Sequence, residues 1–276
     1  MHKLTGILDK AVLLTLNNRP SKIIKSPYVA DAATQSGRKV LVHTPFLNLG
    51  EQCKNRSRIY ATLSNENSKT DFIAQLVEFD DKMYGKVIIG ANPFTAEKIC
   101  KSIIMKNLWN PFDGYQLTKK PKEIEYRGDL YLKNSKNEII IIEVKNVVCA
   151  SYNPNVSQNH YKIPFYDNSE PFIRSGIYPF GDRKQNYKGK KVVSERSIRQ
   201  LDFMISNRER LKFAIIFVVN RSDCNLFKAN WQGDPVYAKY LNNAADKGIE
   251  LYALKINWKN FSCYFDRSLE VDLNKW

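Results

Sequence analysis

The chain has few of the residues that hold disulfide-bonded folds or zinc sites together. Its 276 residues include only three histidines and five cysteines. The cysteines are odd in number, widely scattered and never spaced as Cys-x-x-Cys: Cys53, Cys100, Cys149, Cys224 and Cys263. Disulfide frameworks and zinc sites need paired or clustered ligands. The sequence therefore argues against both, and we expect five reduced thiols.

Long apolar runs are also missing. No stretch approaches the roughly 20 apolar residues of a membrane span, and residues 1–15 lack the basic, apolar and small-residue order of a signal peptide. We therefore expect a soluble intracellular protein, cytoplasmic or associated with a nucleoid or nucleus, that does not bind a membrane.

Acidic residues are the scarcer charge. The chain has 43 Lys and Arg against 28 Asp and Glu, a formal net charge of +15. Such an excess favours a polyanionic partner, with nucleic acid as the first expectation and an anionic membrane surface as the competitor. No segment shows a clear basic amphipathic helix, which weakens the membrane alternative.

Residues 1–92 have the pattern of a small β-barrel. Short apolar or β-branched runs alternate there with Asn, Ser, Gly and Pro, which favour turns. The expected strands cover residues 11–16, 40–43, 59–63, 72–77 and 87–89. Five short strands in some ninety residues predict an OB-like barrel.

Basic and aromatic residues alternate along this predicted barrel, where they could follow a phosphate backbone and stack bases. A scattered, solvated surface is an equally open interpretation. The residues in question are Arg19, Lys22, Lys25, Tyr28, Arg38, Lys39, Lys54, Arg56 and Arg58. From them we take six candidate nucleic-acid contacts: Arg19, Lys22, Arg38, Lys39, Arg56 and Arg58.

Residues 93–276 predict a second domain that alternates helices and strands. Thr95 is expected to cap a helix to about residue 108, Ser194 a second helix, and Asp234-Pro235 a third that stops at Lys247-Gly248. Strands are expected at 129–132, 139–142, 213–219 and 249–256. The predicted fold class is α/β, of the mixed α+β kind, with a central mixed sheet flanked by helices.

An irregular insertion is expected at about residues 150–192. It is rich in Asn, Tyr, Pro and Ser and ends in a basic stretch. A disordered surface loop and a nucleic-acid clamp both remain open. The aromatic residues in it are unusual for disorder: Tyr161, Phe165, Tyr166 and Phe172.

The most apolar strand of this second domain ends in two charges. Four consecutive isoleucines at 139–142 predict a strand buried on both faces, and Glu143 and Lys145 follow on one face, with Val144 on the other. Burying a carboxylate and an ammonium is costly unless they are paired or hold a metal. An ordinary Glu-Lys pair at the solvent edge of a strand is the simpler interpretation.

The chemical interpretation adds Asp129, one hairpin earlier. Asp129, Glu143 and the carbonyl of Val144 could supply oxygen ligands to Mg²⁺ or Mn²⁺. Lys145 could then place an attacking water against a phosphodiester. This is the D…(D/E)-x-K pattern of restriction-type nucleases, and it makes Asp129, Glu143 and Lys145 the catalytic candidates.

The helix that Ser194 caps begins with further charges. Glu195 is a candidate for the metal shell, and Arg196 and Arg199 are candidates for contact with the scissile phosphate. A helix-start glutamate stabilised by the helix dipole, with two solvated arginines, explains the same residues equally well.

Four motifs in one order resemble the sugar fermentation stimulation protein family. They are Arg19-Pro20 with His43-Thr44-Pro45-Phe46-Leu47-Asn48-Leu49-Gly50; Arg127-Gly128-Asp129 with Glu143-Val144-Lys145-Asn146; Ser194-Glu195-Arg196-Ser197-Ile198-Arg199-Gln200-Leu201; and Asp234-Pro235 with Gly248-Ile249-Glu250-Leu251. Gln200 stands where the family pattern has a histidine, and Lys190-Lys191-Val192 where it has Phe-Pro-Asp.

The resemblance implies an OB-like N-terminal domain, a restriction-endonuclease-like C-terminal domain and DNA binding. Arg127 and Arg199, within these motifs, complete the candidate nucleic-acid contacts. Two functions follow for testing: a metal-dependent nuclease, and a non-catalytic, perhaps regulatory, DNA-binding protein with a nuclease-like core. Two carboxylates facing a phosphate backbone favour the nuclease, because they repel phosphate unless a cation intervenes.

Overall fold

The computed structural model describes residues 1–8, 10–46, 49, 53, 55–156 and 165–276. Within these residues the chain forms a β-barrel and a larger unit of sheets and helices. The helices are α1 (Phe94–Met105), α2 (Glu195–Asn207) and α3 (Pro235–Asp246). The strands are β1 (His2–Leu4), β2 (Val12–Asn18), β3 (Val29–Thr34), β4 (Lys39–His43), β5 (Arg58–Leu63), β6 (Phe72–Asp81), β7 (Gly85–Gly90), β8 (Tyr115–Thr118), β9 (Leu130–Asn134), β10 (Ile139–Val147), β11 (Cys149–Tyr152), β12 (Phe165–Tyr166), β13 (Ser175–Tyr178), β14 (Gln185–Tyr187), β15 (Lys190–Val192), β16 (Lys212–Val219), β17 (Leu226–Ala229), β18 (Glu250–Lys259), β19 (Ser262–Leu269) and β20 (Val271–Asp272).

The barrel contains five strands in the order β4-β3-β2-β5-β6 and closes where β4 pairs in parallel with β6. The strand β7 extends the sheet beside β6. The expected OB-like barrel is therefore confirmed, although β3 was not expected. Its sequence is rich in alanine, and Ala30 and Ala32 are buried. Small side chains suit the crowded interior of a small barrel but carry little strand signal.

The N-terminal end of the chain does not belong to the barrel. The strand β1 pairs antiparallel with β19, with His2 opposite Phe265, and so forms the edge of the larger sheet. Leu4 and Ile7 pack into the core beneath that sheet. The expected assignment of all residues before 92 to the barrel is wrong for this segment, because its partner strand lies more than 250 residues away in the chain.

The larger unit is built on a seven-stranded sheet in the order β1-β19-β18-β16-β10-β9-β8. Its three central strands, β10, β16 and β18, run parallel. The helix α1 covers one face, where Ile99 and Ile103 share a core with Ile142. The helices α2 and α3 cover the other face, where the buried cluster includes Ile141. The isoleucine strand is thus buried on both faces, as predicted.

Two of the three helix starts agree with the sequence. The side chains of Ser194 and Asp234 accept hydrogen bonds from main-chain N–H groups in the first turns of α2 and α3. The prediction for α1 was wrong, because this helix starts at Phe94 and Thr95 lies within it. The side chain of Asn92 accepts the N–H of Phe94 at 3.1 Å instead. No described helix is long and apolar enough to cross a membrane.

The segment at 150–192 is more regular than expected. The strands β11, β12 and β13 form a second sheet with β17 and β20, in the order β12-β11-β13-β17-β20, and β14 pairs with β15. Residues 157–164, with Tyr161, lie outside the described residues. The expectation of an irregular insertion failed because two partner strands of this sheet come from after residue 225.

A buried ion network joins the barrel to the rest of the molecule. Nη1 of Arg174 lies 2.7 Å from Asp81, at the end of β6, and 2.9 Å from Asp223. Arg221 also pairs with Asp223, at 2.6 Å. All four side chains are at most 1% exposed, and Arg174 stacks against Tyr84 at 4.4 Å. Because buried charges are costly alone, each member depends on the others.

We expect Arg174→Met to lower the free energy of unfolding by about 3–5 kcal/mol, because it leaves Asp81 buried without its cation. Urea unfolding measures the change. The control Lys184→Met removes an ion pair with Asp182 in which the lysine is 80% exposed, and it should cost less than about 1 kcal/mol. Equal stability of Arg174→Met and the wild type would contradict the structural role of the network.

Candidate active site

Asp129 and Glu143 meet where β9 begins and β10 continues past it. The main-chain N–H of Asp129 donates to the carbonyl of Ile142 at 3.0 Å. Oδ2 of Asp129 accepts the main-chain N–H of Val144 at 2.7 Å. These two bonds hold the Asp129 carboxylate against the end of β10, beside Glu143. In a strand the C=O of a residue points to the same side as its N–H, so the Val144 carbonyl also faces Asp129.

Glu143 is only 3% exposed, and three side chains satisfy its carboxylate. Oε2 accepts from the hydroxyl of Tyr126 at 2.9 Å. Oε1 accepts from Nζ of Lys145 at 3.0 Å and from Nε2 of Gln200. Nζ of Lys145 also donates to Oε1 of Gln200 at 2.6 Å. Glu143, Lys145 and Gln200 therefore form a closed ring of hydrogen bonds that fixes the position of the ammonium.

Gln200 was not among the predicted site residues. It lies on α2, and only the tertiary fold brings it to β10. An amide donates from its nitrogen and accepts at its oxygen, which lets one side chain contact both the Glu143 carboxylate and the Lys145 ammonium. The signal in the sequence was the motif at 194–201, in which the family pattern places a histidine at this position.

The electrostatics of the two carboxylates differ. Burial, and after it the negative charge of Glu143, raise the pKa of Asp129 from 3.8 to about 6, while the Val144 N–H and the charge of Lys145 oppose the shift. Glu97, in the first turn of α1, also raises the pKa of Asp129. Burial and Glu143 raise the pKa of the Tyr126 hydroxyl, which therefore stays protonated as a donor. Asp129 thus carries a charge that its surroundings compensate poorly.

Two carboxylates alone do not make a complete metal site. Within the part of the chain that the structure describes, no group of three or more His, Cys, Asp or Glu side chains is placed to hold a metal ion. A hard cation at Asp129 and Glu143 would need further oxygens from the Val144 carbonyl and from water, which Mg²⁺ commonly retains. The predicted ligands lie together, and their use by a metal stays a prediction.

The predicted residues at the start of α2 do not all reach this site. Nη2 of Arg199 pairs with Oε1 of Glu195 at 2.7 Å, four residues apart on the exposed side of the helix. The structure therefore gives Glu195 an arginine partner rather than a place beside Asp129. Arg196 is exposed and lies one helical turn before Gln200, so it shares the face of α2 that contacts Glu143. Of the three, only Arg196 faces the site.

The predicted nucleic-acid contacts are mostly exposed. Lys22, Arg38, Lys39, Arg56, Arg58 and Arg127 are exposed, and Arg127 lies two residues before Asp129. Two of them pair with acids: Arg58 lies 2.9 Å from Glu78 and Arg38 lies 3.8 Å from Asp71. Arg19 is half-buried and lies 5.2 Å over the ring of Phe46. Lys54, and Leu47, Asn48 and Gly50 of the first motif, lie outside the described residues.

We expect the stability of the protein in EDTA to fall as pH rises from about 4 to about 6, in part because of Asp129. Its folded pKa of about 6 lies above the ordinary value of 3.8, so between these values the unfolded chain releases the proton first. Asp129→Asn removes this term. Relative to the wild type, the free energy of unfolding of the variant should rise by about 1–2 kcal/mol between pH 4.5 and pH 8, after allowance for solvent screening.

Urea unfolding of both proteins at the two pH values measures this difference. The control Asp182→Asn replaces a carboxylate that is 52% exposed, and it should change far less with pH. If the free energies of unfolding of wild type and Asp129→Asn differ by the same amount at both pH values, the raised pKa of Asp129 is contradicted.

The chain is similar to known proteins over most of its length. The family model "Sugar fermentation stimulation protein RE domain" matches residues 192–261. Sugar fermentation stimulation protein homologues are 26% identical over 225 residues in Thermoanaerobacter sp. strain X514 (79% of this chain, 80% of the relative) and 24% over 236 residues in Brucella ovis (83% of each).

A solved structure shows the same fold. The structure of Pyrococcus furiosus SfsA in complex with Ca²⁺ is 20% identical, covers 99% of this chain and 100% of its own, and superposes with a TM-score of 0.72. The sequence motifs, the barrel, the seven-stranded sheet of the larger unit and these matches all indicate similarity to the same group of proteins. The chain is therefore similar to sugar fermentation stimulation proteins over most of its length.

Proposed function

We propose that this protein binds DNA and hydrolyses its phosphodiester bonds with the help of a divalent metal ion. The observation that carries the proposal is the grouping of Asp129, Glu143 and Lys145 at the end of one buried strand. Glu143 and Lys145 are 3% and 11% exposed, so their charges cost free energy that a purely structural strand end would avoid. The net charge of +15 supplies attraction for a polyanion.

The residues fit a hard divalent cation. Asp129 and Glu143 offer carboxylate oxygens, and the Val144 carbonyl faces the same place. The raised pKa of Asp129 reflects burial first and the charge of Glu143 second, and a cation would offset both. The P. furiosus relative was solved with Ca²⁺, also a hard, oxygen-binding cation. Bound Mg²⁺ or Mn²⁺ would supply Lewis-acid polarisation of the phosphodiester.

The side chains of the chain itself have separate tasks in this proposal. Lys145 attracts the phosphate and positions the attacking water, while Gln200 and Glu143 hold its ammonium in one place. Tyr126 donates to Glu143 and keeps that carboxylate oriented. Arg196, on the same side, is placed to contact the phosphate.

A second function, a DNA-binding regulatory protein without catalysis, has one observation in its favour. The hydrogen bonds from Tyr126, Lys145 and Gln200 already satisfy the Glu143 carboxylate without a cation. Such an arrangement stabilises a buried charge in the absence of any chemistry. A cleavage assay separates the two functions.

We expect wild-type protein to cleave labelled DNA in Mg²⁺ or Mn²⁺ and not in EDTA. Asp129→Asn and Glu143→Gln each remove a metal ligand with little change of shape, and should lower cleavage by at least about 100-fold. Lys145→Ala should weaken both cleavage and binding. The control Glu195→Gln changes a carboxylate that Arg199 binds on the outside of α2, and should keep most activity.

Absence of wild-type cleavage on single- and double-stranded DNA in both metals would favour the regulatory function. Thermal melts of each variant show whether a loss of cleavage is a loss of folding. Full activity in Asp129→Asn would remove this site from the proposal.

DNA binding should depend steeply on salt. Each phosphate that the protein neutralises releases counterions, with a slope near 0.9 per contact in a log-log plot for duplex DNA. In EDTA, Asp129→Asn should bind as tightly as the wild type or more tightly, because one repelling carboxylate is gone. Fluorescence anisotropy between low and physiological salt measures both, and a flat salt dependence would contradict a cationic DNA surface.

A further inference from the structure

A cavity of about 310 Å³ lies between the barrel and the larger unit. Pro45 and Phe46, just after β4, form its wall on the barrel side, and Pro179 and Phe180, just after β13, form part of the opposite wall. Four rings from two distant parts of the chain therefore border one space.

The lining has the chemistry of a nucleobase site. Val148 and Val193 add apolar surface, and the lining also includes the polar residues Asn146, Gln185 and Ser194. A base is flat and apolar on its faces and carries hydrogen-bonding groups on its edges. Proteins that bind single strands combine ring surfaces for the faces with polar side chains for the edges. The volume is also in the range of small-ligand sites, about 300–1,000 Å³.

The cavity adjoins the candidate active site. Asn146, which lines it, directly follows Lys145 on β10, and Ser194, which also lines it, caps the helix that carries Gln200. The hydroxyl of Tyr178, a further lining residue, contacts Ser197 at 2.9 Å in the first turn of that helix. A nucleotide with its base in the cavity would therefore lie beside the end of β10 and the start of α2, the two elements that carry Lys145 and Gln200.

Positive charge surrounds this place. Arg19 lies over the ring of Phe46 at 5.2 Å. Arg183 lies in the segment that joins Phe180 to β14, and it donates to main-chain carbonyls rather than to an acid. A polyanionic strand suits these surroundings better than an apolar peptide.

The walls are held at a fixed separation. Nδ2 of Asn146 donates to the carbonyl of Gly90 on the barrel at 3.1 Å, and Nδ2 of Asn220 donates to Oδ1 of Asn146 at 3.0 Å. A Cβ at Gly90 would lie 2.2 Å from the Asn220 side chain, so the barrel approaches the sheet as closely as a glycine allows. A preformed space between fixed walls costs little ordering on binding.

We propose that this cavity binds an unpaired base of a DNA strand whose phosphates run past Lys145. The occupant is a base that is exposed in single-stranded or locally opened DNA, so such DNA is the preferred substrate. This inference rests on the proposed function, because it identifies the form of DNA that the Asp129–Glu143–Lys145 site receives.

The test compares two strands of equal charge in EDTA, so that cleavage plays no part. One is oligothymidylate, and the other is a fully abasic strand of the same length. Fluorescence anisotropy should show that the wild type binds oligothymidylate roughly 5- to 100-fold more tightly, the range that stacking of a base gives. A blunt duplex without unpaired bases should bind more weakly than oligothymidylate at the same salt.

Phe180→Ala should remove this preference by weakening binding of oligothymidylate while leaving the abasic strand unchanged. The control is Phe261→Ala, which removes a phenylalanine that is 45% exposed in the turn between β18 and β19 and should keep the preference. Val148→Trp narrows the cavity without removing a ring, and should also reduce the preference. It serves as the deciding variant if a thermal melt shows that Phe180→Ala does not fold.

Equal affinity of the wild type for both strands would overturn the base cavity and leave the cationic surface intact. Binding of neither strand would overturn the cavity together with the proposed function. A preference that survives in the folded cavity variants would place base recognition elsewhere and overturn the assignment to this cavity.

Discussion

The burial of β10 on both faces is the constraint on which the site depends. Ile140 and Ile142 pack on the side of α1, and Ile141 packs on the side of α2 and α3. Each such side chain contributes about 1.5–3 kcal/mol when fully buried. Because side chains alternate strictly along a strand, this packing also places Glu143 on the α2 side, where it contacts Gln200, and Val144 on the α1 side. A slip by one residue would reverse both.

At this strand end, neighbouring groups compensate the charge of Glu143 better than that of Asp129. This difference favours the binding of an added cation. Glu143 has a cation and two neutral donors, whereas Asp129 accepts one main-chain N–H, and the charge of Lys145 only partly offsets burial and the acidic neighbours Glu143 and Glu97. A fully compensated cluster would be complete without a ligand. A carboxylate whose pKa is raised by burial and like charge is instead a place where an added cation lowers the free energy.

The contact between the barrel and the larger unit combines apolar packing, in which Tyr60, Leu76 and Ile88 of the barrel sheet take part, with a buried polar network. The Arg174 network with Asp81 and Asp223 is fully buried, and the close approach of Gly90 to Asn220 leaves no room for a side chain. Ion pairs and the hydrogen bonds of side-chain amides are directional. They therefore set one relative position of the two units, where apolar packing alone would tolerate several. The cavity beside Asn146 exists because of that position.

The sequence by itself determined the local parts of this protein. The isoleucine run, the caps at Ser194 and Asp234, and the alternation that places Glu143 and Lys145 on one face all depend on neighbours within a few residues. The tertiary structure decided the pairing of β1 with β19, the sheet that absorbs β11 to β13, the contact of Gln200 with Glu143, and the pairing of Glu195 with Arg199 instead of a role beside Asp129. Most of these join residues far apart in the chain, and a local pattern carries no information about which distant strand or helix will fill the place beside it.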